Sequence, residues 1–359
     1  MDGKMVIALP VEENRKRLGW ADRARGLAIL LVVVGHTCPP PYTTAFIYAF
    51  HMPLFFVLSG LFLRVEEPFG AFVRKKMRTV LVPFVIYNLV LLVSDWCIVA
   101  LSPNHHEAVD ITSRLLGTLT GWHGGVWNSS LWFLPCLFSA QLLIVGCHRL
   151  ARGNSTVCGG LWILLTLVGV AYCHWVGVSL PMSLDSALVA TGFLLTGRQL
   201  MRMDLKREPW WYWGITLLIF VSLTLDNYYT LGGGNNHVDL STDTLGSPLN
   251  FYLAACAGCL LLIRSCQRWE AVCPEEHPFT WLGRNSLVIY CLHRIPLNLG
   301  IAIWNALVGV SEQPSTEYLL LRSLSLVLFT LLLLIPAVYI VNRWLPWTLG
   351  KKEAQKIKI

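Results

Sequence analysis

The feature that most restricts this chain is the recurrence of apolar blocks about twenty residues long through its 359 residues. A block of about 20 residues makes a helix of about 30 Å, the depth of bilayer hydrocarbon. Inside hydrocarbon, only helices and closed barrels satisfy every backbone N–H and C=O group. Ten such blocks are read, at roughly 19–38, 44–63, 79–101, 130–150, 157–175, 180–200, 210–227, 248–267, 284–305 and 318–345. Charged residues make up only 14% of the chain, where a soluble domain carries nearer a quarter. The expected fold is all-α: a polytopic integral membrane protein of about ten transmembrane helices. The sixth and seventh spans are the weakest. One contains Asp185, and the other opens with Trp210-Trp211-Tyr212-Trp213, an aromatic run suited to a membrane–water interface.

The net charge of +7 is arranged as an orientation signal rather than a nucleic-acid surface. With the N-terminus placed in the cytoplasm, the inner segments hold 25 of the 28 lysines and arginines, leaving Arg114, Arg294 and Arg322 outside. That asymmetry follows the positive-inside rule and puts both termini in the cytoplasm. The expected organisation is a cytoplasmic arm over residues 1–18, a ten-helix domain over 19–345 and a basic cytoplasmic tail over 346–359. No cleavable signal is expected, because the first seventeen residues are polar and basic with no small-residue cleavage site after them. The eleven cysteines form no CxxC pair and read as small buried apolar residues.

The first span carries the chemistry. Asp22 to His36 begins with charge, becomes apolar and then places an imidazole within the apolar run. Arg25 and His36 are eleven residues apart, roughly three turns and about 16 Å, so they share one helix face. Asp22 is positioned to pair with Arg25. An ionisable group inside a membrane defaults to a functional reading. A solitary histidine bonded to a neighbouring carbonyl is the alternative, and the residues alone leave both open. His51 lies about 20 Å above Arg64, and His293 about 14 Å beyond Arg284, on the second and ninth spans. If each arginine marks the inner boundary, the three histidines occupy one level and can share a polar chamber. Histidine suits a general base that takes a proton from an attacking hydroxyl. Zinc is the competing use of three histidines, but no HxH or HxxxH spacing supports it, and no metal is expected. His51 and His293 each also admit a structural role at the start of a helix.

Arg74-Lys75-Lys76-Met77-Arg78 puts four cations at the mouth of the third span, with Arg74 and Arg78 one turn apart. Together with Arg25 they suit a polyanion such as the phosphates of coenzyme A. Orientation signalling and attraction to anionic membrane lipid explain the same run. The outer loops mix His105, His106, Trp122, His123, Trp127, Asn235, Asn236, Asp239 and Asp243. Such a mixture fits carbohydrate, with rings stacking on sugar faces, and equally fits a solvated loop. There is no Walker loop, GxSxG elbow or GxGxxG motif.

Several of these landmarks are similar to the membrane-bound acyltransferase-3 family. Arg25 followed by a ten-residue gap and His36 resembles its first-helix signature. Phe50 to Gly60 resembles its second helix, and Arg74-x-x-x-Arg78-x-x-x-x-Pro83 its basic third-helix start. Trp132-Phe133-Leu134 and Leu282 to His293 match two later landmarks, the last resembling, with Asn250 to Leu253, the fucose 4-O-acetylase-like branch. The matches keep their order from residue 20 to 296. The resemblance implies a multi-pass protein of the cell (inner) membrane. It implies an O-acyltransferase that moves an acyl group, commonly acetyl, from acyl-CoA to a sugar or glycan hydroxyl. Acetyl-CoA or another acyl-CoA is then a co-substrate, with no tightly bound cofactor. By the same resemblance Arg25 and His36 carry over as the catalytic pair, and Arg74 and Arg78 as donor-binding residues. His51, Ser59, Trp132, Asn285 and His293 become candidates for substrate or oxyanion contact. The competing expectation is a transporter or flippase of a sugar or lipid-linked glycan, although no internal repeat marks two halves.

Overall fold

The computed structural model of the chain describes residues 18–101, 111–122, 130–200, 209–275 and 277–351. Most of the expected arm, the tail beyond Lys351, and His105, His106, His123 and Trp127 lie outside the described residues.

Each of the ten expected spans contains helix, and no strand occurs among the described residues. The first span is α1 (Gly19–Gly35), and the second is broken into α2 (Pro41–Tyr48) and α3 (His51–Leu61). The third comprises α4 (Phe69–Lys76), a π-helical turn (Met77–Leu81) and α5 (Val82–Leu101). A short α6 (Ile111–Thr120) precedes α7 (Phe133–Leu150), α8 (Ser155–Trp175), α9 (Leu184–Leu200), α10 (Trp210–Thr230) and α11 (Pro248–Val272). The ninth span is broken twice, into α12 (Pro278–Arg284), α13 (Ser286–Leu292) and α14 (Arg294–Leu307), and α15 (Thr316–Trp344) ends the bundle. Six helical segments are long and apolar enough to cross a membrane, or seven if α13 and α14, bent by 48°, count as one. Helices α1 and α9 have only 17 residues each. The chain is thus a polytopic all-helical membrane protein.

Prolines explain three of the breaks. A proline inside a helix clashes with the carbonyl four residues back and cannot bond it. Pro53 therefore forbids continuation through Ala49, where α2 gives way to α3, and Pro296 does the same at Leu292, where α13 gives way to α14. Pro83 acts on Thr79, and the chain widens there into the π-turn. Two of these three breaks carry a histidine, His51 and His293.

Packing around α1 is close because glycine permits it. A methyl group added at Gly26 would lie 1.9 Å from the Phe279 carbonyl oxygen, and one at Gly283 would lie 1.7 Å from that of Asp22. Helices α1 and α12 therefore touch backbone to backbone, as small residues allow in membranes. The end of α11 also grips α1. The buried Arg23 guanidinium donates to the Cys273 and Glu275 carbonyls at 2.5 and 2.8 Å and stacks over Trp269, while the Trp20 amide donates to Glu270. Outward faces of α8, α10 and α15 instead expose leucines, among them Leu164, Leu218 and Leu332, the pattern expected of a lipid belt.

Candidate active site

The three histidines singled out in the sequence, His36, His51 and His293, sit where a helix ends or breaks. His36 caps the C-terminus of α1, His51 opens α3, and His293 joins α13 to α14. The topology brings them together. The His36 and His293 rings stack with centroids 5.0 Å apart and planes 27° from parallel. His36 and His51 both line one cavity of about 500 Å³, and His293 lies fully buried behind His36. The expectation of one shared level is met.

Backbone carbonyls set two of the tautomers. The Nδ1 atoms of His51 and His293 lie 2.8 Å from the carbonyl oxygens of Ile47 and Tyr290. A carbonyl only accepts, so each Nδ1 carries the hydrogen and each Nε2 presents a lone pair. The Nε2 of His293 has no hydrogen-bond partner among the described residues. The His36 ring likewise makes no hydrogen bond among the described residues and faces the cavity. Its backbone is held firmly, with the next carbonyl, that of Thr37, accepting from Arg322 of α15 at 3.2 Å.

The rest of the chamber comes from seven further segments. Tyr48 ends α2, and its ring packs against His51 and His237. Trp132 precedes α7 and lines the cavity. Tyr290 of α13 donates its hydroxyl to the Ser130 carbonyl at 2.6 Å, fixing the start of α7 against the chamber. Asp95 of α5 and Arg114 of α6 form an ion pair on the wall. The loop between α10 and α11 adds Asp239 and Ser241, and α14 adds Arg294 and Asn298. Sequence reasoning noted Arg114 and Arg294 only as arginines outside the inner segments; their isolation there was the available signal. Asp95 carried a signal that was missed, a carboxylate inside the expected third span, whereas Tyr48 is not distinguished from ordinary span residues.

Arg25 stands at the opposite, basic end of α1. It pairs with the buried Asp22 at 3.0 Å and lies 5.1 Å over the Phe62 ring. Asp22 also meets Arg284, the last residue of α12, at 3.5 Å, so the two arginines expected at one boundary share a single carboxylate. Between Arg25 and His36, Val32 lines the cavity whereas Ile29 is buried in the core. Arg25 is not among the residues lining the cavity. Alongside runs the α3 face Met52–Phe55–Ser59–Phe62, half-buried below Met52, which places Ser59 between the two ends rather than in the chamber. Arg74 and Arg78 are exposed, and Arg78 sits within the π-turn, where its carbonyl packs against Gly350.

Asn285 does not line the chamber. It occupies the α12–α13 break, where its amide donates to the Trp281 carbonyl at 2.8 Å and its oxygen accepts from Asn342 at 2.9 Å. Lys351 donates in turn to Asn342. This network ties the last helix and the chain beyond it to the ninth span. Among the described residues, no group of three His, Cys, Asp or Glu side chains is placed to hold a metal ion.

Comparison with known proteins gives one match. The family model described as an acyltransferase domain, of the acyltransferase-3 type, matches residues 18–348. No curated protein and no solved structure matches the chain.

Proposed function

The chain belongs to the acyltransferase-3 family and is therefore a membrane acyltransferase, and on that premise we propose that it moves an acetyl group from acyl-CoA to a sugar or glycan hydroxyl bound in the histidine chamber. The observation that carries this reading is His36: a ring facing a cavity of substrate size, without a protein hydrogen bond, backed by a second buried imidazole. Cavities of roughly 300–1,000 Å³ hold small ligands, and this one has rings and polar groups on its walls.

In the proposed mechanism, the chain crosses the inner cell membrane ten times with both ends in the cytoplasm, as the lysine and arginine asymmetry supports. Arg74 and Arg78, exposed at the basic end, and Arg25 receive the phosphates of the donor. The acyl arm follows the α1–α3 seam past Ser59 toward the chamber, and the Ile29 level must open for it. A neutral His36 nitrogen takes the proton of the acceptor hydroxyl as its oxygen attacks the thioester carbonyl. The C–S bond breaks, and the imidazolium returns the proton to the departing thiolate. His51 and His293 hold their Nε2 lone pairs toward this region and keep it receptive to protons. The family membership sets aside a transporter without covalent chemistry.

The test is His36→Ala in purified protein in lipid nanodiscs, supplied with labelled acetyl-CoA and a sugar acceptor. Transfer should be lost while the thermal melt stays that of the parent. Near-normal turnover removes His36 as the base.

A further inference from the structure

The chamber holds one guanidinium that no group among the described residues engages directly. Arg114 is paired with Asp95, and Arg322 is occupied by the Thr37 carbonyl. Asp239 accepts from the Ser241 amide and hydroxyl at 2.8 and 2.7 Å. Arg294 lines the same cavity, half-buried, and among the described residues it makes no hydrogen bond, ion pair or ring contact. A half-buried guanidinium that faces a cavity with no direct partner is free to grip a ligand, and ionisable groups kept inside membrane proteins mark substrate paths.

The 48° bend at His293 turns one face of α14 onto the cavity. Arg294 and Asn298 occupy that face one turn apart, about 5.4 Å along the helix. Asn298 also makes no hydrogen bond among the described residues. A planar fork with a neutral amide one turn farther on fits an oxyacid anion, the carboxylate or phosphate that arginine grips through two N–H groups. The anion does not belong to the donor's nucleotide. The walls here are the Asp239–Ser241 loop and Trp132, at the far end of α1 from Arg25.

We propose that Arg294 and Asn298 form an anion-binding wall, and that the acceptor is a hydroxylated molecule carrying a carboxylate or phosphate. The word acceptor rests on the acyl-transfer reading; the anion site does not.

The experiment uses the full chain in neutral detergent and three probes: methyl glucuronide, glucose 1-phosphate and uncharged methyl glucoside. Thermal melts titrated with each report binding, and labelled acetyl-CoA reports transfer. At least one charged probe should bind about tenfold or more tightly than the glucoside, the range of a charged hydrogen-bonded pair. Comparing the two charged probes separates a carboxylate from a phosphate ligand. Arg294→Gln should erase the preference by weakening the charged probe alone, seen in transfer as a raised KM. Arg294→Lys, which keeps the charge without the fork, should retain part of it and serves if the glutamine variant fails to fold. Equal binding of all three probes, binding of none, or an unchanged preference in Arg294→Gln overturns the proposal. So does an equal fall in kcat for charged and neutral probes, which makes Arg294 a transition-state contact instead. Charge-selective binding through Arg294 with no transfer to any probe keeps the anion site and refutes acyl transfer.

Discussion

Replacing Gly26 by alanine tests how far the chamber depends on the backbone contact between α1 and α12. The added methyl would lie 1.9 Å from the Phe279 carbonyl oxygen, and ordinary contact begins at 3.4 Å, so the helices must part by about 1.5 Å. The obstacle is backbone, which cannot swing aside as a side chain does. Overpacking of this kind costs about 1–3 kcal/mol of stability. The effect on chemistry is larger. Helix α1 runs unbroken from Gly26 to the His36 cap, and α12 leads through α13 to His293, so the displacement is carried to the 5.0 Å imidazole stack. A misplacement of about 1 Å at a reacting group costs about 10²-fold in rate. The expected outcome is a drop in kcat of about a hundredfold with a melt lowered by only a few degrees. The assay is labelled acetyl transfer, normalised to folded protein recovered from size exclusion. Gly146→Ala in α7 is the control: nothing lies within 4 Å of the added methyl, and alanine in a helix interior gains about 0.5–1 kcal/mol. A Gly26→Ala protein with parental kcat and melt would refute the argument.

Two other perturbations separate roles. Arg25→Lys keeps the ion pair with Asp22 but loses the planar fork, so KM for acetyl-CoA should rise several-fold with kcat little changed; an unchanged KM confines Arg25 to clamping Asp22 beside Arg284. Asp243, in the loop between α10 and α11, has its carboxyl pushed from 3.8 to about 7, by burial first and then by Asp185. Between about pH 4 and 7 the folded chain therefore holds a proton that the unfolded chain has released. Stability should fall as pH rises through that window and level off above it. Melts at pH 5 and pH 8 measure the difference, and Asp243→Asn should flatten it; an equal slope in that variant assigns the dependence elsewhere.

Much of the bundle was legible because hydrocarbon imposes a length on every span. Each of the ten apolar blocks coincides with helix, including α10 with its tryptophan run and α9 with a buried Asp185, and six or seven segments have the length and apolarity of a span. The face shared by Arg25 and His36 followed from helix geometry alone. That His293 would stack on His36 was legible only as a common depth, since no pattern in a sequence states which helices are neighbours. Asn285 was misleading in the other direction. It sits in a motif beside His293, yet the break in the ninth span spends its amide on Trp281 and Asn342. Pro53 and Pro296 carried the signal for two breaks, because a proline two or three residues after a histidine marks a break with that histidine at its edge. Asp95 could have been singled out as a carboxylate within the third span, while Tyr48 could not, as its role arises from α2 facing a space that other helices enclose.

The clasp between the two ends of the chain has a consequence for biosynthesis. Arg23 finds its carbonyl partners 250 and 252 residues later, and Asp22 meets Arg284 only once the ninth span has been made. The first helix to leave the ribosome can form its own Asp22–Arg25 pair, but Arg23 waits in it without the carbonyls that later receive it. A nascent chain released before α12 contains His36 and His51 but lacks His293, Tyr290, Arg294 and Asn298, so the chamber is closed only when the ninth span arrives.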